Sequence, residues 1–580
     1  MSAVPRTPVA RPEIAATAGI ARRRPAWLEL ATSGDHKAVG VLYVAAALGF
    51  LALALTELVL MRVQLIVPES TLIGPEIFDQ LLSAYGSTAI VLFGIPLALG
   101  LMSFIVPLQI GARAMAFPRL NALSWWLYLT GGVTIYVSFL YAPSQAGTIP
   151  FPPLASDVFS ASSGVDAWIA GTGLAITGFV LFAVNLVATL RRNRAPGMAW
   201  RRVPLFSWAA AASSHMLLVI GPVMIAALAM LLIDRQFDGV FYNPGEGGAP
   251  ILFQHLSWIF FTGAYFLVLL AATGAISEIV QTFARRPLPS HRAVAASFVA
   301  IAVLGPLAWM QNMYSAPIPI GFAYFAMAIS LALVVPIGLI LVNWLVTLWR
   351  GELNVRTPML FALGAISTMT IGLAGELGQS LIPVGWQLGS SAAAWGDTHY
   401  ALIGGAVFGG FAGLYYWFPK LTGRSMGDGL GRASFWTMLV GVHVMVIPLI
   451  LAGLDGQVVD IYKFYGDIGL DGFNLIGSIG AFVLAVGIVL SLVNAATSAR
   501  GGRAEGHDPW GGSTLEWFTL SPPPPHNFDL VPDVRSATPL HDIRDAIRRR
   551  SDAGHRPSAD GGPAAAPPSA GDSHSEAPVA

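Results

Sequence analysis

Apolar runs of about twenty residues, long enough to cross a hydrocarbon core of about 30 Å as a helix, recur about twelve times along this chain. They fall near 38–62, 84–108, 122–142, 166–190, 204–233, 250–283, 292–312, 319–349, 357–383, 391–418, 434–453 and 472–498. The pattern predicts an all-α integral membrane protein with about twelve transmembrane helices.

The charged residues between the runs alternate in sign from one side to the other. Arg113 and Arg119 follow the second run, and Arg191, Arg192, Arg194, Arg201 and Arg202 the fourth. Arg285, Arg286 and Arg292 follow the sixth, Arg350 and Arg356 the eighth, Lys420, Arg424 and Arg432 the tenth, and Arg500 and Arg503 the twelfth. The opposite segments carry Glu69, Glu76, Asp157, Glu246, Asp455 and Asp467. An excess of Lys and Arg marks the cytoplasmic side, so both termini are expected there. The agreement at every even-numbered run supports the helix count.

Composition adds the surroundings. Of 580 residues, 55% are hydrophobic and 11% charged, with mean hydropathy +0.65. A soluble chain carries about 25% charged residues, so the main partner is the lipid bilayer. The net charge of zero gives no argument for nucleic acid. No cysteine is present, which excludes disulfides, thiolate-bound iron–sulfur clusters, covalent c-type haem and cysteine-ligated copper. Four regions are expected: a disordered cytoplasmic tail over 1–34 with no signal-peptide pattern, a twelve-helix domain over 35–503, a cytoplasmic segment packing on the bundle over 504–533, and a disordered tail over 534–580, which beyond about Ser551 is mainly Ala, Pro, Ser, Gly and Asp and cannot bury enough apolar surface to order itself.

Candidate chemistry concentrates in the tenth run, where Asp397 and His399 stand two residues apart inside an apolar helix. Ionisable groups in lipid are costly and usually functional. At about 100° per residue the two point roughly 200° apart, so the pair could serve two sites, one on each side of the helix. The lone membrane histidines His215 and His443 read as satisfied core residues, and no His-x-x-x-His or Glu-x-x-His spacing offers a new metal site.

Longer strings carry a family likeness. DHKAVGVLYV opens the first helix and TELVLMRVQL closes it; PLQIGARAMAFPRLNALSWWLYL, RAPGMAWRRVPLFSW, ALAMLLIDRQF, NPGEGGAPILFQHLSWIF, GAVFGGFAGLYYWFPKLTGR and PWGGSTLEWFTLSPPPPHNF follow. In this order, from about Asp35 to Pro532, they resemble subunit I of the haem-copper oxidases, the cytochrome c oxidase family, and most of all its bacterial aa3-like branch. The resemblance implies a twelve-helix bundle in the bacterial inner (plasma) membrane, with redox sites between helices toward the periplasm.

It also implies a chemistry that needs imidazoles: a low-spin haem on two histidines, and a second haem on one histidine facing a copper held by three more. Here the matching positions differ. The low-spin pair becomes Tyr85 and His399, with Arg62 as the arginine that would face the haem. Tyrosine can ligate haem iron but must first lose a proton with pKa about 10. Tyr85 therefore reads first as a packing residue, and His399 equally as a core histidine or a ligand. Asp397 takes the place of the second haem's ligand, where a helix–helix hydrogen bond or a proton-carrying role suits a carboxyl better. The copper histidines become Thr262, Gln311 and Asn312, a hydroxyl and two amides. Ala264 and Phe266 replace the proton-feeding glutamate and the active-site tyrosine. Ala114 and Ile340 replace the acid and lysine of two proton routes, though Asn121 remains. Val459 and Asp460 replace the arginines that pair with haem propionates.

Two functions follow. In the favoured one, the chain is a catalytically degenerate homologue with a scaffold, assembly, regulatory or single-haem role, contacting other oxidase subunits or assembly factors; one haem on His399 is the cofactor left open, and copper is disfavoured. In the alternative, it is a divergent but active respiratory terminal oxidase subunit I, coupling dioxygen reduction to proton pumping. No residue is assigned as catalytic.

Overall fold

A computed structural model describes residues 32–554; the expectations for 1–31 and 555–580 lie outside the described residues. Among the described residues, twelve helices are long and apolar enough to cross a membrane: α1 His36–Gln64, α2 Pro75–Gln109, α3 Pro118–Leu140, α4 Gly164–Arg192, α5 Leu205–Gln236, α6 Pro250–Phe283, α7 His291–Met313, α8 Ile320–Arg350, α9 Thr357–Ser380, α10 Ala392–Thr422, α11 Asp428–Leu454 and α12 Asp471–Gly501. Among the described residues there are no strands, only two isolated bridges. This follows from lipid offering no hydrogen bonds, so that each crossing must satisfy its backbone within itself.

Most helices run past their apolar stretches, because end residues are selected for capping and not for lipid. The largest extension is at α2, which begins at Pro75, well before the apolar run near 84. Proline sits at its first position and Glu76 in its first turn, both of which suit a helix N-terminus. In α1 the Asp35 side chain accepts from the Lys37 backbone N–H at 3.0 Å.

Inside the bundle, α2, α6 and α10 are the most enclosed crossings and α8 the least. Small residues set the closest approaches, as expected where lipid gives helices no hydrophobic reason to associate. A Cβ on Gly40 of α1 would lie 2.9 Å from the Gly100 carbonyl oxygen of α2. A single arginine anchors the segment between α3 and α4. At the end of α5, Arg235 donates from Nε to Asp166 Oδ1 at 2.7 Å and from Nη2 to Oδ2 at 3.1 Å. It also reaches the carbonyls of Ala155, Ser160 and Ser162 at 2.7, 3.0 and 3.1 Å.

The segment after α12 packs on the bundle end that carries the arginine-rich loops. Leu515, Trp517 and Phe528 are buried there. Asn527 receives Lys37 Nζ at 2.9 Å and donates to the Ala112 carbonyl at 2.8 Å. Lys420 Nζ donates to the carbonyl of Thr519 at 2.8 Å. The C-terminal stretch differs from expectation, since Pro539–Gly554 is helical. Its composition alone gave no core to join; tertiary contacts supply one, with Leu540 buried and Arg544 paired to Asp508.

Candidate functional site

Two of the enclosed helices are locally widened. Thr88–Gly94 in α2 and Ile403–Gly409 in α10 form π-helical turns, a rare geometry frequent at functional sites. Tyr85 lies just before the first and His399 just before the second. The turns face each other: a Cβ on Gly94 would stand 3.7 Å from Ala406 Cβ. Beside them a cavity of about 910 Å³ runs between α1, α2, α6, α7, α8, α9, α10 and α12. Its wall is largely apolar, with Leu51, Phe93, Val268, Leu333, Trp344 and Ile403 among the contributors.

Tyr85 and His399 both line this cavity and are hydrogen-bonded to each other, phenol oxygen to Nε2, at 3.0 Å. His399 Nδ1 lies 2.8 Å from the Trp395 carbonyl oxygen. A carbonyl only accepts, so Nδ1 carries the proton and Nε2 takes the phenol hydrogen. Trp395 also packs on the imidazole, with ring centroids 3.4 Å apart. His399 thus presents its lone pair toward the cavity in the tautomer a metal would require, and Tyr85 satisfies that lone pair. One imidazole fits a haem ligand. His399 would hold a haem iron through Nε2, and the Tyr85 phenol that now occupies that lone pair would have to move aside.

Arg62 is buried but turned toward α12. Its Nη2 donates to the Asn474 carbonyl at 3.3 Å and packs on Gly477, while its Nε has no partner. At the cavity mouth, Val459 and Asp460 are lining residues, and the Asp460 carboxyl accepts from Thr148 at 3.2 Å. That negative charge is the wrong sign to pair with a propionate.

Asp397 does not line the cavity itself. Its carboxyl accepts from Gln379 Nε2 at 2.6 Å and fills the space that a side chain on Gly375 would need. It is therefore a contact between α10 and α9. At the positions where the resemblance leads one to expect copper ligands, Asn312 Nδ2 donates to the Thr262 hydroxyl at 3.1 Å. Gln311 Nε2 donates to the Glu376 carbonyl at 3.2 Å, and its Oε1 accepts from Ser330 at 2.8 Å. A hydroxyl and two amides already engaged with each other and their neighbours do not fit a copper ion, which takes nitrogen ligands of the imidazole type. No group of three or more His, Cys, Asp or Glu suited to a metal occurs among the described residues.

The remaining positions are apolar or structural. Ala264 is fully buried, Phe266 packs on Gly305, and Ile340 lines the cavity. Ala114 lies in the loop after α2, where its carbonyl accepts from Asn193 at 3.0 Å. Asn121 is buried and donates to Ser103 at 3.0 Å. His255 accepts from Trp309 Nε1 at 3.2 Å, and His443 packs edge-on against Tyr400.

Sequence reasoning missed Glu376 and Tyr265. Glu376 lines the cavity from α9 and accepts from the Thr398 hydroxyl at 2.5 Å. Tyr265 lines it from α6, with a buried hydroxyl that has no partner. A lone glutamate inside an apolar run was the available signal; nothing in the sequence singled out the tyrosine.

Comparison with known proteins identifies the scaffold. The sequence profile described as Cytochrome C and Quinol oxidase polypeptide I matches residues 38–483. The chain belongs to the cytochrome c and quinol oxidase polypeptide I family. It is 36% identical over 501 residues to the cytochrome c oxidase subunit 1 of Thermostichus vulcanus, covering 86% of this chain and 90% of that one. Identity is 36% over 532 residues to the probable cytochrome c oxidase subunit 1-beta of Nocardia farcinica, with 90% of each chain covered. For cytochrome c oxidase subunit 1 of Bacillus subtilis it is 35% over 512 residues, 88% of this chain and 82% of that one. In solved structures, the fold resembles a heme-copper terminal oxidase dimer with TM-score 0.68 at 14% identity, covering 82% of this chain and 86% of that one. The oxidase subunit I fold and a multi-pass membrane location follow.

Proposed function

We propose that this chain is a non-catalytic member of the oxidase subunit I family that keeps the membrane scaffold without the dioxygen-reducing centre. The observation that carries the reading is the Thr262–Asn312 and Gln311–Ser330 pairing where the family pattern calls for copper imidazoles. Dioxygen reduction of this kind needs a metal there, and amide or hydroxyl groups hold copper weakly. Asp397, committed to Gln379, supports the same reading for the second haem. His399 leaves room for one haem, which would supply electron relay and no more; the chain's own contribution would be an imidazole oriented by the Trp395 carbonyl. Partner oxidase subunits or an assembly factor would bind the scaffold. The excess of arginine in these loops favours a cytoplasmic side for the ends of the even-numbered helices and for both termini in a bacterial cell.

The competing reading, an active terminal oxidase subunit I, draws on identity near 36% along most of the chain. Fold and activity are separate inferences, however, and activity resides in the site. Purification after growth with ample iron and copper separates the two. The expected result is less than stoichiometric copper and one haem at most in the reduced-minus-oxidised spectrum. Two haems with one copper per chain would refute the proposal.

A further inference from the structure

We propose that the junction between α4 and α5 holds the phosphate headgroup of an anionic phospholipid. An open pocket of about 330 Å³ is lined by Arg191, Arg192 and Arg194 together with Ala195, Gly197, Met198 and Ala199. Three guanidiniums share this one concavity, and their hydrogen-bonding capacity is only partly used. Arg192 is exposed and makes no hydrogen bond or ion pair among the described residues. Arg194 donates from Nη1 to the Met198 carbonyl at 3.0 Å, but its Nε is buried with no partner. Arg191 is steadied from the α5 side, where Nη2 donates to His215 Nε2 at 3.2 Å. Because His215 Nδ1 is held by the Ala211 carbonyl at 2.7 Å, this nitrogen is free to accept.

Two observations favour a lipid over a soluble anion. The pocket sits just past the end of the α4 crossing and before the start of α5, between two membrane-spanning helices. Trp200 and Trp208 pack at a tilt beside it with ring centroids 5.0 Å apart, and the Arg194 guanidinium lies 4.6 Å from the Trp200 ring. Tryptophans gather at the membrane–water boundary, and basic pockets between helices at the cytoplasmic side bind anionic headgroups. The α4 C-terminus opposes an anion with only about half an elementary charge, against three full positive charges. A carboxylate at the rim, Asp533 beside Gly197, is paired with Arg535 at 3.7 Å. Arg202 Nη1 ties that rim closed, donating at 2.8 Å to the carbonyls of both Gly197 and Val534.

The proposal rests on the membrane location and not on loss of catalysis, so the two can fail separately. The test is native mass spectrometry of the full chain, delipidated in detergent and titrated with phosphatidylglycerol, phosphatidylcholine or inorganic phosphate. One phosphatidylglycerol should bind in preference to phosphatidylcholine. R192A, which removes an exposed side chain without packing contacts, should weaken it about fivefold, the equivalent of about 1 kcal/mol per basic residue at an anionic surface. R192A/R194A should abolish it, and R192K/R194K should retain part. R500A/R503A, at the end of α12, should leave it unchanged. Equal binding of phosphatidylcholine, equal loss in R500A/R503A, or displacement by inorganic phosphate at equal concentration would each overturn the assignment.

Discussion

Arg235→Ala should be the most damaging single truncation outside the cavity. The guanidinium joins α5 to Asp166 in α4 through two parallel bonds of 2.7 and 3.1 Å, and it holds three carbonyls of the α3–α4 segment. Its side chain is 2% exposed and that of Asp166 22%. Removing one partner of a buried ion pair costs about 3–5 kcal/mol, because the other charge is left unpaired. Partial access of Asp166 to water places this case near the lower end, about 3 kcal/mol. The freed carbonyls add little if they reach water, and about 1 kcal/mol each if they do not. Arg235→Lys keeps the charge but not the fork, so about half the loss is expected. Asp166→Asn should fall between parent and Arg235→Ala. Ala146, Thr148, Phe151 and Leu154 of the same segment line the cavity, so protease cutting between 141 and 163 should rise in parallel. Denaturant unfolding in detergent with limited proteolysis measures both. A loss under about 1 kcal/mol for Arg235→Ala, or unchanged cutting, would refute the anchoring argument.

Gly375→Ala should destabilise by about 1–3 kcal/mol, the usual cost of overpacking, since its Cβ would collide with the Asp397 carboxyl. Adding Asp397→Ala should recover much of that loss in a double-mutant cycle of unfolding measurements; additive losses would contradict the contact. Burial pushes the Glu516 carboxyl above the usual range, against hydrogen bonds from Gln109 and Trp417. The folded state then keeps its proton longer than the unfolded state, so stability should fall as pH rises past the unfolded value near 4.3. Glu516→Gln should flatten that fall in pH-dependent unfolding, and an unchanged slope would exclude Glu516 as its source. Tyr85→His removes the phenol that satisfies His399 and supplies a second imidazole, so purified protein should gain a low-spin haem spectrum. Unchanged haem content, with the fold intact by circular dichroism, would show that the pocket rejects the porphyrin.

The lipid-facing architecture was legible because the bilayer imposes a length and a composition on every crossing. Twelve runs and the alternating arginines gave the number of helices, and family strings such as PWGGSTLEWFTL gave their arrangement. That Thr262, Gln311 and Asn312 offer a hydroxyl and two amides was also a matter of residue identity. What those residues do instead depended on tertiary structure. Asp397 and His399 are two residues apart, yet only the packing of α9 against α10 turns one into Gly375 and Gln379. The π-helical turns, together with Trp395, set the other against Tyr85. Glu376 and Tyr265 meet on one cavity wall although 111 positions separate them in the chain. Apolar periodicity specifies which segments enter the membrane, a local property of the sequence. Partners inside it are chosen by helix rotation and close approach, which arise only once all the helices are packed.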